Sequence, residues 1–426
     1  MRLSLTLFCL LLFICPYGQT TVIKAKSYLD IRAGKLIVPA VLIIENGLIK
    51  EINPKTIPEG AAIIDLGSKT ILPGLMDMHV HLEINLDPGY NFHPVTENAS
   101  KRVLRAASNA KLTLMSGFTT VRNMGQTHPS RILIDVALSE ASDKDWIEAP
   151  RIIPSGHMLS ITGGHGDPAM HGGFSEGVMD LGPENGVADG VDEVIKATRY
   201  QIKYGARVIK IMATAGVFSL ENTVGAQQFT YEEMKAIVDE ARRHEVKVAA
   251  HAHGTEGIIS AIHAGVASIE HGSILDDIAI NLMKEKGVYL VPTTALMDLL
   301  ADSYDKLDKR IVEKAKYVTA LGRESHSKAF KLGVRVAMGT DAPLVPHGKN
   351  ALEITAMVKR GMKPLEAIRA STINSADLLG IKDRGELKAG LLADIIAVEG
   401  NPLDQIEILE KVYFVMKGGK IYKHQH

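Results

Sequence analysis

The chain has 426 residues, with 48 basic and 49 acidic side chains, a net charge of −1, one tryptophan and 5% aromatic residues. Balanced charge argues against a polyelectrolyte partner, and so few aromatics leave no stacking platform for nucleic acid. The length allows a large core and about two domains on the usual ~150-residue prior.

Residues 1–18 read as a secretory signal peptide. Arg2 supplies the positive start, and Leu5 to Ile14 is an almost unbroken apolar run. That run is too short to span a bilayer as a helix. Pro16-Tyr17-Gly18 follows, where cleavage would occur. Export to the periplasm or medium is therefore expected. Lipid attachment at Cys15 is disfavoured, because Ile14 fits a lipoprotein site poorly. Cys9 and Cys15 are the only cysteines, so the mature chain would carry no disulfide and no thiol chemistry. No later run approaches the length of an integral membrane span.

Residues 20–72 read as short strands. In VLIIENGLIKEI, two β-rich runs meet at Asn46-Gly47, a strong hairpin signal. Residues 385–426 have the same texture, with GELKAGLLAD and KVYFVMKGGKIYK punctuated by glycine. The expectation is one small β-sandwich domain formed by both termini, with a larger domain inserted between them.

From 73 to 384 the texture alternates. An opening run near 75–80 is followed by β-rich runs at 117–124, 151–156, 206–213, 246–253, 267–272, 288–294 and 334–341, with helical segments between most of them. Continuous apolar strands alternating with helices argue for parallel strands buried on both faces. Eight such units predict an α/β fold, a (β/α)8 TIM barrel, with its site at the C-terminal strand ends.

Those ends carry unusual residues. The first run closes on His79 and His81, and residues two apart in a strand share a face. Lys210 sits inside the apolar run VIKIMA, although lysine is almost never fully buried unless paired. His251 and then His253 end the fifth run, Glu270-His271 the sixth, and Gly339-Thr340-Asp341 the eighth. A single histidine at such a place is commonly a satisfied core side chain. Five strands ending in ligand-type residues are not explained that way.

The order H-x-H, Lys, His, His, Asp resembles the binuclear pattern of the metal-dependent amidohydrolase superfamily. So do ASTINSADLLG (370–380) and the 385–394 segment. GHMLSITGGHGD (156–167), IKIMATAGV (209–217), FTYEEMKAIVDEA (229–241) and AAHAHG (249–254) are similar to its imidazolonepropionase-related, Xaa-Pro dipeptidase-like branch. That branch includes an ochratoxin-hydrolysing amidase.

The resemblance implies a set of roles. His79, His81 and Asp341 would hold one divalent metal ion, and His251 and His271 a second, with zinc the default. Lys210 would bridge both as a carbamate, since an ammonium has only donors and cannot ligate a cation. A metal-bridging hydroxide would attack an amide carbonyl. Asp341 would take its proton and pass it to the leaving amine. His165 would polarise the carbonyl, Tyr231 would meet the substrate's carboxylate, and His253 would stand beside the ligands and contact substrate. Thr230 and Glu233 form a capping box ahead of Tyr231. Arg122 is expected in a structural ion pair, and Glu270 as a partner inside the strand wall. Members are often oligomeric, which leaves a homo-oligomer open.

The expected activity is hydrolysis of dipeptides or N-acyl amino acids. The alternative is cyclic-amide hydrolysis, as by imidazolonepropionase. Those enzymes lack the lysine in the fourth strand and place an acid just after the histidine of the fifth, whereas His251 here is followed by Ala252-His253-Gly254. A non-catalytic binding protein would have no need of six ligands.

Overall fold

The structure, a computed structural model, describes residues 20–425 except 127, 302 and 303. The expected signal peptide, with Cys9 and Cys15, lies outside the described residues. Among the described residues no helix is long and apolar enough to cross a membrane.

The first strands are β1 (Thr21–Ala25), β2 (Ser27–Asp30), β3 (Lys35–Ile37), β4 (Ala40–Glu45), β5 (Leu48–Ile52), β6 (Ala62–Asp65) and β7 (Thr70–Pro73). The β4–β5 hairpin turns at Asn46 and Gly47, with φ of 51° and 78°. Both lie in the left-handed region that a tight two-residue hairpin turn requires. One sheet has the order β5-β4-β1-β6.

The chain then enters its parallel strands. β8 (Leu75–Val80), β9 (Phe118–Asn123) and β10 (Arg151–Ile153) form one sheet, ordered β10-β9-β8. β11 (Val208–Met212), β12 (Lys247–Ala252), β13 (Ser268–His271) and β14 (Tyr289–Val291) form another, in chain order. All residues of β8, β9, β11, β13 and β14 are buried. Burial on both faces is why these strands read as continuous apolar runs rather than alternating ones.

The two parallel sheets are hydrogen-bonded to each other through irregular backbone. The third run is regular only to Ile153, yet further on the Leu159 N–H donates to Lys210 O at 2.8 Å and the Met212 N–H to Leu159 O at 2.9 Å. The eighth run, 334–341, forms no continuous ladder either. It is bonded on both sides: the Ala337 N–H donates to Leu290 O (3.0 Å), the Met78 N–H to Met338 O (2.8 Å) and the His81 N–H to Ala342 O (2.7 Å). At its end Asp341, with φ of 59°, turns the backbone out of the extended path.

β15 (Ile395–Val398), β16 (Phe414–Lys417) and β17 (Lys420–His424) return to the start of the chain. They join a six-stranded sheet of order β17-β16-β15-β7-β2-β3, where β15 pairs antiparallel with β7 from Ile395↔Pro73 to Val398↔Thr70. Ile23, Leu42 and Ile49 from the first sheet and Ile71, Ile395 and Phe414 from this one share a single buried cluster. β7 runs through Gly74 directly into β8, and a Cβ at Gly74 would collide with the Thr119 side chain. The first histidine-bearing strand is thereby anchored to the sheet that holds both chain ends.

Candidate active site

The strand-end residues converge on one cavity of about 170 Å³, whose lining includes His79, His81, Lys210, His251, His271 and Asp341. The Nε2 atoms of His79 and His81 lie 3.5 and 3.4 Å from Asp341 Oδ1. Lys210 Nζ is 3.5 Å from His79 Nε2. One ligand atom from each of His79, His81 and Asp341 can be chosen so that all lie within 4.8 Å of one another.

Each ring is oriented by what holds its other nitrogen. His79 Nδ1 meets Glu270 Oε2 at 2.8 Å, and His81 Nδ1 meets Gly125 O at 2.8 Å. His271 Nδ1 meets Thr293 Oγ1 at 2.9 Å, and His253 Nδ1 meets Ser273 Oγ at 2.8 Å. The carboxylate at His79 and the carbonyl at His81 can only accept, which fixes the proton on Nδ1 of those two rings and leaves the Nε2 lone pair free for a metal. His251 Nε2 is buried with no hydrogen-bond partner among the described residues. An orphaned imidazole nitrogen beside a cluster of nitrogen and carboxylate donors fits a divalent cation such as zinc.

Burial keeps most of these rings neutral, but at His81 the hydrogen-bonded Asp341 carboxylate outweighs burial and raises the ring's pKa. Burial pushes His79 down to about 4, and pushes His251 and His271 well below the usual histidine range. Burial also brings Lys210 down to about 8. Asp341 stays ionised: burial would raise its carboxyl, but His79 and His81 beside it lower it further. Burial likewise works against Glu270, yet the Arg122 charge and the His79 hydrogen bond hold it down to about 2. Arg122 donates through Nε to Met78 O (2.7 Å) and through Nη2 to Glu270 Oε1 (2.8 Å). Arg122 thus lies in a buried ion pair, and Glu270 spans from that pair to His79.

The backbone is strained at the same place. His271, Thr293 and Asp341 have φ of 68°, 49° and 59°. For residues other than glycine this costs roughly 1–3 kcal/mol each, and such outliers cluster at functional sites. Gly339 is needed for close approach, because a Cβ there would press on Val291 and on His79.

Loop residues complete the cavity. His165 lines it, with its ring centroid 4.4 Å from that of His251 and its Nδ1 2.7 Å from Ser219 Oγ. The Ser219 segment is clamped by buried Lys314, whose Nζ donates to the carbonyls of Gly216, Ser219 and Glu221 at 3.1, 2.6 and 3.0 Å. His253 lines the cavity and stacks on His271 with centroids 5.1 Å apart.

Tyr231 is not brought there, which corrects the expectation of a substrate contact. It is 41% exposed and opens onto a separate surface depression with Glu256, Ile259, Ser260 and His263. The reason is local. The capping box of Thr230 and Glu233 starts the helix Tyr231–Arg243 at that residue, and its first side chain then faces the neighbouring helix Thr255–Ala264.

Asp77 was not singled out from the sequence, and it supports the site. Its carboxylate accepts from the Thr340 N–H (3.1 Å), Thr340 Oγ1 (2.7 Å), Asn350 Nδ2 (2.8 Å) and the His79 N–H (3.0 Å). The signal was available: an acid inside an apolar run, two residues before His79. Ser219, Ser273 and Thr293 carry no such mark.

The profile of the Amidohydrolase family matches residues 70–422. Ochratoxinase of Aspergillus niger is 38% identical over 376 residues, which is 83% of this chain and 75% of that protein. Imidazolonepropionase of Deinococcus radiodurans is 23% identical over 390 residues, 86% of each chain. The crystal structure of a Xaa-Pro dipeptidase with methionine bound in its active site superposes with a TM-score of 0.89 at 37% identity, covering 95% of this chain and 100% of that one.

Proposed function

The chain belongs to the amidohydrolase family and is a hydrolase acting on carbon–nitrogen bonds, and from that premise we propose a binuclear, exported amidase or dipeptidase. In this reading the hydrogen-bonded ring of parallel strands closes as a TIM barrel over residues 73–384. The sheets of 20–72 and 385–426 form a β-sandwich beside it. The apolar N-terminal run exports the chain.

The observation that carries the reading is the inward convergence of His79 Nε2, His81 Nε2 and Asp341 Oδ1 beside the orphaned His251 Nε2. His79, His81 and Asp341 would hold one ion, and His251 and His271 the other. Lys210 would join them as a carbamate. Its buried amine is eased toward the neutral, CO₂-reactive form. When bound, the two metal ions would lower the pKa of a water molecule and polarise the amide carbonyl.

The protein's own groups supply the proton chemistry. Asp341 accepts a proton as the carbonyl is attacked and returns it to the departing nitrogen. His165, held by Ser219, steadies the carbonyl oxygen through its free edge. Glu270 keeps the His79 ring in place throughout. The substrate is an amide that joins an amino acid to an acyl or aminoacyl group.

The test is a substrate panel on zinc-loaded protein: dipeptides, N-acyl amino acids, hydantoin-type rings and imidazolone propionate. Release of a free amino acid from linear amides is the expected result. Turnover of cyclic substrates alone would replace this reading with ring hydrolysis.

A further inference from the structure

Arg102 has no part in the reading above. It lies on the helix Ala99–Met115, whose start is fixed by Asn98 accepting from the Lys101 N–H at 2.9 Å. The residue is only 2% exposed, yet it lines the cavity that contains the histidine cluster. Its Nε and Nη1 are enclosed and form no hydrogen bond among the described residues.

Nearby acids do not complete it. Glu97 Oε2 stands 3.9 Å from Arg102 Nε, beyond hydrogen-bond reach. Glu97 meets Lys101 and Arg105 through Oε1, and its buried Oε2 forms no hydrogen bond among the described residues. Glu83 Oε1, buried on the same cavity, also lacks a partner. Arg105 adds a second positive charge to this wall, with Nη1 donating to the Glu83 carbonyl at 3.3 Å. A guanidinium cannot shed its proton. Enclosing one without a full set of acceptors is strongly unfavourable unless a ligand supplies them. With Tyr231 on the outer surface, no other residue is assigned to an anionic part of the substrate.

We propose that Arg102 is the specificity-determining residue of the cavity, receiving a free carboxylate on the amino-acid side of the scissile amide. The proposal rests on the amide-hydrolysis reading and narrows its substrates to amides that carry that carboxylate. A charge-assisted bond to a buried arginine is worth much more than the same contact to a neutral amide. The free acid is therefore selected over its carboxamide.

N-acetyl-L-phenylalanine and N-acetyl-L-phenylalaninamide make a matched pair of probes. Cleavage of the acetyl bond is followed for wild type, Arg102→Met and Arg102→Lys, all zinc-loaded, with a thermal melt of each. Wild type should favour the acid in kcat/KM by about 100-fold, as expected for losing one partner of a buried charge pair. Arg102→Met should lose that preference, chiefly through KM for the acid, with the carboxamide rate little changed. Arg102→Lys should fall between. An equal preference in wild type and Arg102→Met, or no preference in wild type, overturns the proposal. If Arg102→Met does not fold, the wild-type ratio and Arg102→Lys decide it. Calorimetry of the same two compounds on wild type needs no turnover. Tighter binding of the acid with no cleavage of either would keep Arg102 and discard the amidase reading; equal affinities would discard Arg102 whatever the activity.

Discussion

The cavity has two kinds of wall. One is made by strand ends: His79, Lys210, His251 and His271 sit on buried parallel strands, His81 follows β8 directly, and Asp341 closes the bridged eighth run. Nδ1 of His79, His81 and His271 is anchored there, and the left-handed backbone at His271 and Asp341 is held by its surroundings. The other wall is made by loops and helices, and it carries His165 and Arg102. It is supported at a distance, by Ser219 through Lys314 and by the helix Ala99–Met115. The first wall is built for fixed geometry and suits the proposed metal and proton chemistry. The second is built from segments that can change without disturbing the strands, and it suits selection of substrate.

Substitutions that strike each wall should separate these roles. The largest effect is expected at Asp341→Asn, which removes both proton transfers. kcat should fall by at least about 10²–10⁴-fold, measured at saturating substrate with metal content checked. Glu270→Gln should come next. It leaves the His79 ring poorly oriented and the Arg122 charge without its counter-ion, so metal affinity should drop about 10–100-fold, read by chelator competition. On the loop wall, Gly216→Ala places a Cβ against the His165 ring. It should lower kcat/KM about 10-fold, as a small misplacement of a positioning group does, with the zinc stoichiometry unchanged. A loss of zinc in that variant would erase the division between the walls. Tyr231→Phe should be the mildest, within about twofold in kcat and KM, because an exposed residue away from the cavity contributes no substrate binding. A large rise in KM would place Tyr231 back at the substrate.

The same division explains what the sequence could disclose. The strand wall was legible because strand geometry is periodic. His79 and His81 share a face by their spacing, and Lys210 is conspicuous inside an apolar run. The Asn46-Gly47 hairpin and the Thr230/Glu233 capping box are local chemistry, and both stand as read. The expectation that Tyr231 meets the substrate came instead from the family resemblance. The capping box that correctly marks the helix start puts Tyr231 on the outside, and only the packing of the helix Thr255–Ala264 against it makes that visible. Arg102 could not be found at all. It is one basic residue among several on an amphipathic helix, and what distinguishes it is burial without partners, a property of the folded chain. The eighth run was recognisable as a strand by composition. Its hydrogen bonds to β14 and β8 as short bridges depend on where Asp341 turns.

The most direct test of the proposed two-metal centre is zinc stoichiometry in wild type and Lys210→Ala after reconstitution with excess zinc and bicarbonate. Two ions per chain are expected in wild type. Lys210→Ala should hold fewer and lose most activity, with partial recovery when short carboxylic acids take the place of the carbamate. One ion per chain in wild type, together with a fully active Lys210→Ala, would contradict a binuclear site.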